Sequence, residues 1–293
     1  MRVRATRRLP GPAWDELDDV EVAPLDEPGG DVAILVVANE AVEVDRFPAL
    51  RLIANFGVGY DRIDVAACRA RGIAVTNTPG VLDAATADLA MGLMLAARRR
   101  LVEGDMLVRA GRWGTSWSAG PFLGREITGA TLGIVGLGRI GAAVAQRARG
   151  FDMRVLHVRS REGDLDELLR ASDIVSLHTP LTPATTGLLS RERLSLLADG
   201  ATLVNTARGA VVDEDALVDE LVSGRISAGL DVFAHEPHVP EALVGLPNVV
   251  LTPHIASATV ETRAAMTRCV VDNVLAFTRG EPLVTAVGAA EKT

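Results

Sequence analysis

The sequence predicts an α/β protein of two domains built on parallel sheets. Short aliphatic and β-branched runs alternate with helical stretches along the chain, the pattern of repeated βαβ units. The 293 residues exceed one ordinary domain and suit two. Hydrophobic residues make up 48% of the chain and charged residues 23%, which leaves enough apolar surface for two cores.

The elements follow in order. The basic start (Arg2, Arg4, Arg7, Arg8) reads as a first strand and its turn, and the Pro-, Gly- and acid-rich stretch from Pro10 to Gly30 as an abbreviated connection. Strands are expected at Ala33–Val37, Arg51–Asn55 and Ile73–Thr76, and later at Thr131–Val135, Arg154–Val158, Asp173–Leu177, Thr202–Asn205, Ser227–Val232 and Val249–Thr252. One long helix is expected from Ala84 to Arg109, with Asp83 as its N-cap and its end near Gly111.

Several function classes fall away on composition. The net charge of −8 gives the chain no electrostatic reason to bind nucleic acid. No apolar run approaches the about 18 residues of a membrane span, and no apolar segment follows the basic start as in a secretory signal. Cys68 and Cys269 lie far apart without metal or redox spacing, so two reduced, buried thiols in a cytoplasmic protein are expected, and no metal site. The single lysine, Lys292, lies in the polar tail; Schiff-base, pyridoxal and P-loop chemistry each need an ordered one.

Residues Thr131 to Ala145 read TLGIVGLGRIGAAVA, a strand that runs into Gly136, Gly138 and Gly141 and then a small-residue helix. In that context the glycine pattern is a dinucleotide fingerprint: Gly136 for the tight turn, Gly138 for close approach of a pyrophosphate, Gly141 for helix–strand packing. Arg139 and Ile140 sit at the helix N-terminus that faces the anion. The next strand ends in Arg159-Ser160-Arg161, where an NAD enzyme places an acid. Two guanidinium groups and a hydroxyl suit a 2′-phosphate, so NADP(H) is the preferred cofactor and NAD(H) the alternative.

Three polar residues follow three later strands: Arg208 in VNTARGAVVDEDAL, Glu236 in AGLDVFAHEP and His254 in VVLTPHIAS. Each alone has a plain structural reading, as a turn, a solvated loop charge or a core histidine. Together they match reduction of a 2-keto acid. His254 would protonate the developing alkoxide, Glu236 would favour its imidazolium form, and Arg208 would bind the substrate carboxylate as a planar bidentate cation. In NFGVGYDRID, residues 55 to 64, successive N–H groups at Val58 and Gly59 could cradle a carboxylate, or form a simple glycine turn.

At these residues the chain resembles the D-isomer-specific 2-hydroxyacid dehydrogenase family, and its glyoxylate/hydroxypyruvate reductase-like branch above all. The likeness runs from about Asp31 to Gly280 and includes NFGVGYDRID, VTNTPGVLDAATADLA, LGIVGLGRIG, LHTPLT, NTARGAVVDEDAL, GLDVFAHEP and TPHIAS. The resemblance implies catalytic roles for Arg208, Glu236 and His254, with Val58 and Gly59 on the substrate carboxylate. It places Thr86, His178, Thr179, Pro180, Thr206, Ala207 and Asp231 in the cofactor site. It implies Rossmann-like and flavodoxin-like domains, a nucleotide-binding domain at 97–263 being inserted into a substrate domain of 1–96 and 264–293. It also implies a homodimer on the long helix and the loop after it, from which Trp113 or Trp117 would reach the partner's site. The N-terminal portion is shorter than the family's usual one, which bears on substrate range. The rivals are an NAD-dependent phosphoglycerate or formate dehydrogenase on the same scaffold, and a non-catalytic NAD(P)H-sensing protein or corepressor.

Overall fold

The computed structural model describes residues 1–27, 29–114, 122–159 and 164–288. In chain order the first elements are β1 (Arg2–Ala5), β2 (Val20–Val22), β3 (Val32–Val37), β4 (Leu52–Asn55), α1 (Val65–Ala70) and β5 (Ala74–Thr76). There follow α2 (Asp83–Arg98), α3 (Leu101–Arg109), β6 (Thr131–Val135), α4 (Arg139–Arg149), β7 (Arg154–Val158), α5 (Leu165–Ala171) and β8 (Ile174–Leu177). The last are α6 (Arg191–Leu194), β9 (Thr202–Asn205), α7 (Glu214–Val222), β10 (Ser227–Leu230), α8 (Glu241–Val244), β11 (Val249–Leu251) and α9 (Val260–Arg279).

The chain forms two compact units, Met1–Asp83 with Ser257–Thr293, and Ala84–Ala256. The first holds a five-stranded sheet in the order β2-β1-β3-β4-β5, the second a six-stranded sheet in the order β11-β10-β9-β8-β6-β7. Every strand pairing is parallel. Parallel sheets carry helices on both faces, so their central strands are buried on both sides and mostly apolar. All four residues of β4, β8 and β9 are buried. In each sheet the strand order reverses once, beside β1 in the first and beside β6 in the second, and ligands bind at the carboxyl ends at such points.

Five expectations change. The long helix is two helices, because Arg100 adopts a left-handed backbone (φ 53) between them. α2 buries Ala87, Ala90, Leu93, Met94 and Ala97 in the core of the second unit, whereas no residue of α3 is buried, so no packing carries the helix onward. Asp83 is the first residue of α2 rather than its cap, an acid at the positive end of the helix dipole. The Pro10–Gly30 connection contains a short edge strand, β2, and a turn of 3-10 helix at Pro12–Glu16. The second unit spans Ala84–Ala256 where 97–263 was expected, since α2 packs on its sheet: a Cβ on Gly229 of β10 would lie 2.8 Å from Leu93 Cβ. Of the two thiols, both free, only Cys68 is fully buried.

Candidate active site

At the reversal beside β6, the chain turns through Gly136 with φ +99. A side chain there would meet the His178 carbonyl oxygen at 2.7 Å, so only glycine lets the end of β6 lie against the end of β8. Gly141 packs as closely, its Cβ position lying 2.2 Å from the Gly136 carbonyl oxygen. Gly138 faces open space and caps α4 with no side-chain hydrogen bond, so no side chain caps the helix amides that begin at Arg139 and Ile140.

The ends of β8 and β9 add two hydroxyls. Thr179 and Thr206 are buried and their Oγ1 atoms have no hydrogen-bond partner. A native structure rarely leaves such groups unpaired without a use for them. An open glycine at an uncapped helix end, with two unpaired hydroxyls at the neighbouring strand ends, fits a dinucleotide. His178 is half-buried, with Nε2 2.8 Å from Ser176 Oγ, and burial pushes its pKa down to about 4, so it is neutral at physiological pH. Pro180 is exposed, Ala207 half-buried, and Thr86 buried in the first turn of α2. Arg159 lies exposed just past β7, while Ser160 and Arg161 fall outside the described residues.

Arg208, Glu236 and His254 all belong to the second unit, and each is held by a second polar side chain. Asn205, the last residue of β9, donates from Nδ2 to the Arg208 carbonyl (2.9 Å) and accepts the Ala207 N–H (3.0 Å). Gly209 then lets this turn press on the next loop, its Cβ position lying 1.9 Å from the Phe233 carbonyl carbon. In that loop the Phe233 N–H donates to Glu236 Oε1 (3.1 Å), and the Ala234 N–H to Oε1 of Glu214 at the start of α7 (2.8 Å). Glu236 Oε2 lies 2.8 Å from His254 Nδ1. His254 has a left-handed backbone (φ 53) and donates its N–H to the Asp231 carbonyl at 2.9 Å.

Asp231, expected in the cofactor site, is tied into the turn that carries His254. Fully buried, it accepts Thr252 Oγ1–H (2.6 Å) and the Ile255 N–H (2.8 Å) on Oδ1, and the Ala256 N–H (2.9 Å) on Oδ2. It fixes the turn that presents His254. Neither Asn205 nor Glu214 stood out in the sequence as a site residue, although both lie inside VNTARGAVVDEDAL. Burial pushes the Glu236 carboxyl up, but the hydrogen bond and charge of His254, the Phe233 amide and the Arg208 charge outweigh it. The carboxyl sits below its ordinary range and is ionised near neutrality.

In the first unit, Val58 and Gly59 occupy the turn after β4, half-buried, with no acceptor for either N–H among the described residues. Among the described residues, no cluster of three or more His, Cys, Asp or Glu could hold a metal, and no helix is long and apolar enough to cross a membrane.

The carboxyl edge of one sheet carries both a glycine turn that fits a dinucleotide and an imidazole held by a carboxylate. The second unit is accordingly that of a nicotinamide-dependent oxidoreductase. The chain belongs to the D-isomer specific 2-hydroxyacid dehydrogenase family: residues 91–256 match that family's NAD-binding domain. It is 48% identical over 288 residues to the glyoxylate reductase of Pyrococcus furiosus, covering 92% of this chain and 86% of the relative. It is 46% identical over 259 residues to the hydroxyphenylpyruvate reductase of Plectranthus scutellarioides, covering 85% of this chain and 82% of that one. Among solved structures, the NADPH-dependent glyoxylate/hydroxypyruvate reductase of Sinorhizobium meliloti, in complex with NADP and malonate, matches with a TM-score of 0.86 and 37% identity, over 98% of this chain and 96% of the other.

Proposed function

We propose that this protein reduces a small 2-keto acid, glyoxylate or hydroxypyruvate in the first instance, to the D-2-hydroxy acid, with NADPH as the preferred donor. The observation that carries the reading is the 2.8 Å contact between His254 Nδ1 and the ionised Glu236, which leaves Nε2 of the histidine for a substrate oxygen.

Gly136, Gly138 and the first residues of α4 would hold the pyrophosphate, and Thr179 and Thr206 would give their unpaired hydroxyls to the bound nucleotide. When bound, the reduced nicotinamide supplies a hydride to the carbonyl carbon. The carbonyl oxygen gains electron density in that step, and protonated His254 gives it a proton from Nε2. Glu236 keeps Nδ1–H in place and stabilises the imidazolium before transfer. Arg208 pairs with the substrate carboxylate and polarises the carbonyl, and the N–H groups of Val58 and Gly59, in the first unit, are donors suited to a carboxylate.

NADPH is favoured because β7 leads into Arg159-Ser160-Arg161, with no carboxylate to bond a ribose 2′-hydroxyl and repel a phosphate. Two free cysteines suit the reducing cytoplasm. A homodimer is supported by α3 and the segment after it, where Leu101, Val102, Met106, Val108 and Trp113 are all exposed. Such an apolar run covers itself best with a second copy. Trp117 lies outside the described residues.

The test is an activity matrix: purified protein with NADPH or NADH against glyoxylate, hydroxypyruvate, phenylpyruvate and 2-ketogluconate, following loss of the reduced nicotinamide. Turnover with NADPH and one of the two smallest acids is expected. Tight NADPH binding without turnover of any acid would replace this reading with that of a sensor. Sedimentation of the same sample should give a dimer, and Met106→Glu a monomer.

A further inference from the structure

We propose that Asn55 and Asn77 are positioning residues that aim the backbone N–H groups of the Val58–Gly59 turn at the substrate carboxylate; this rests on the reading of that turn given above. Neither asparagine touches the substrate in this scheme.

Three successive carbonyls of the turn are drawn inward by side-chain amides. Asn55, the last residue of β4 and fully buried, donates from Nδ2 to the carbonyls of Gly57 (3.1 Å) and Gly59 (2.8 Å). Asn77, just past β5, donates from Nδ2 to the carbonyl between them, that of Val58 (2.9 Å). The Thr78 N–H adds a second bond to Gly57 at 3.0 Å. A trans peptide is planar, and its C=O and N–H point in opposite directions. A Gly57 carbonyl held inward therefore aims the Val58 N–H outward, and a Val58 carbonyl held inward aims the Gly59 N–H outward. By the same rule, the second bond of Asn55 turns the Tyr60 N–H to that side, a third donor.

Both asparagines are themselves fixed. Asn55 Oδ1 accepts the Asn39 N–H at 2.8 Å, from the end of the neighbouring strand. The Asn77 carbonyl accepts Thr285 Oγ1–H at 2.6 Å, and Asn273 donates to that Thr285 hydroxyl at 2.9 Å. The turn is thus set before any anion arrives, which spares the ligand the cost of ordering it.

The test compares wild type with Asn77→Ala and Asn77→Asp. The aspartate keeps the shape but sets an acceptor against the Val58 carbonyl. Because the cradle grips the carboxylate before and during reduction, its loss weakens binding without slowing chemistry. KM for glyoxylate should rise about tenfold in Asn77→Ala, the worth of one hydrogen bond, and further in Asn77→Asp, with kcat and NADPH affinity within about twofold. The dissociation constant of oxamate from the NADPH complex, read by nucleotide fluorescence, should rise in parallel. An unchanged KM in either variant, or a fall in kcat at constant KM, would overturn the proposal. Failure of the wild type to bind oxamate or turn over any keto acid would overturn the functional reading beneath it as well, so the two failures are told apart in the wild-type control.

Discussion

Glu236 bridges backbone and imidazole: Oε1 accepts the Phe233 N–H at 3.1 Å while Oε2 meets His254 Nδ1 at 2.8 Å. A carboxylate pinned at both oxygens cannot swing away when the histidine loses its proton. Its depressed pKa means that the stabilisation it brings is present above its ordinary value of 4.5 and lost as pH falls through the folded value. At neutral pH the pair is intact. Replacing His254 with Ala should lower kcat by about 10² to 10⁴, the usual worth of a general acid, and leave NADPH affinity nearly unchanged. Glu236→Gln keeps the shape and loses the charge, and kcat should drop about a hundredfold. Steady-state kinetics with a fluorescence titration of NADPH decides; a near-normal kcat in His254→Ala would end the mechanism.

Glu214 acts one step further out. Its bond to the Ala234 N–H holds the loop that carries Glu236. Glu214→Ala should lower kcat about tenfold through misplacement of the pair, without affecting KM for NADPH. Glu214→Gln retains an acceptor oxygen and should recover most of the rate. If both variants fail alike, or both behave as wild type, the amide bond is not what Glu214 contributes to catalysis.

How much of this was legible in the sequence follows from where each residue's partners lie. The strands β6, β7 and β9 fall at the residues expected; β6 and β9 are buried along nearly their whole length, which keeps such runs mostly apolar, and β7 pairs at the sheet edge with a mostly aliphatic run. β2 escapes the sequence reading: Val20-Glu21-Val22 is only three residues long, has an acid at its centre, and pairs at an edge. The break at Arg100 was hidden because no Gly or Pro marks it; the turn follows from α2 packing on the sheet while α3 does not. Arg208, Glu236 and His254 stood out as polar residues just past strand ends. Asn55, Asn77, Asn205 and Glu214 did not, since each serves backbone groups of another segment or turn, and such bonds leave no periodic trace in the chain.

Arg159 is the one described residue of the three that would grip a 2′-phosphate. Arg159→Asp would exchange an attractive charge for a repulsive one and offer a carboxylate to the ribose hydroxyls. The ratio of kcat/KM for NADPH to that for NADH should fall by at least about tenfold, each tenfold corresponding to about 1.4 kcal/mol. Measuring both cofactors on wild type and variant is sufficient. A ratio that does not move would remove Arg159 from the cofactor site and leave the NADPH preference without its main support.

His178 makes the stability of the second unit depend on acid. In the folded protein burial lowers its pKa from 6.5 to about 4. The unfolded chain therefore binds a proton between those values that the folded chain does not, and stability falls as pH drops through that window. Above about pH 6.5 both forms are neutral and nothing is lost; below about pH 4 both are charged and the loss is complete. A displacement of that size corresponds to a loss of at most about 3 kcal/mol. Glutamine at position 178 has no proton to gain. Denaturant unfolding at pH 7 and pH 4.5 should show a larger drop for wild type than for His178→Gln, whatever the offset between the two at pH 7. The carboxylates titrate alike in both proteins, so the difference of the two drops isolates the histidine. Equal drops would mean that the imidazole accepts its proton in the folded state as readily as in the unfolded chain.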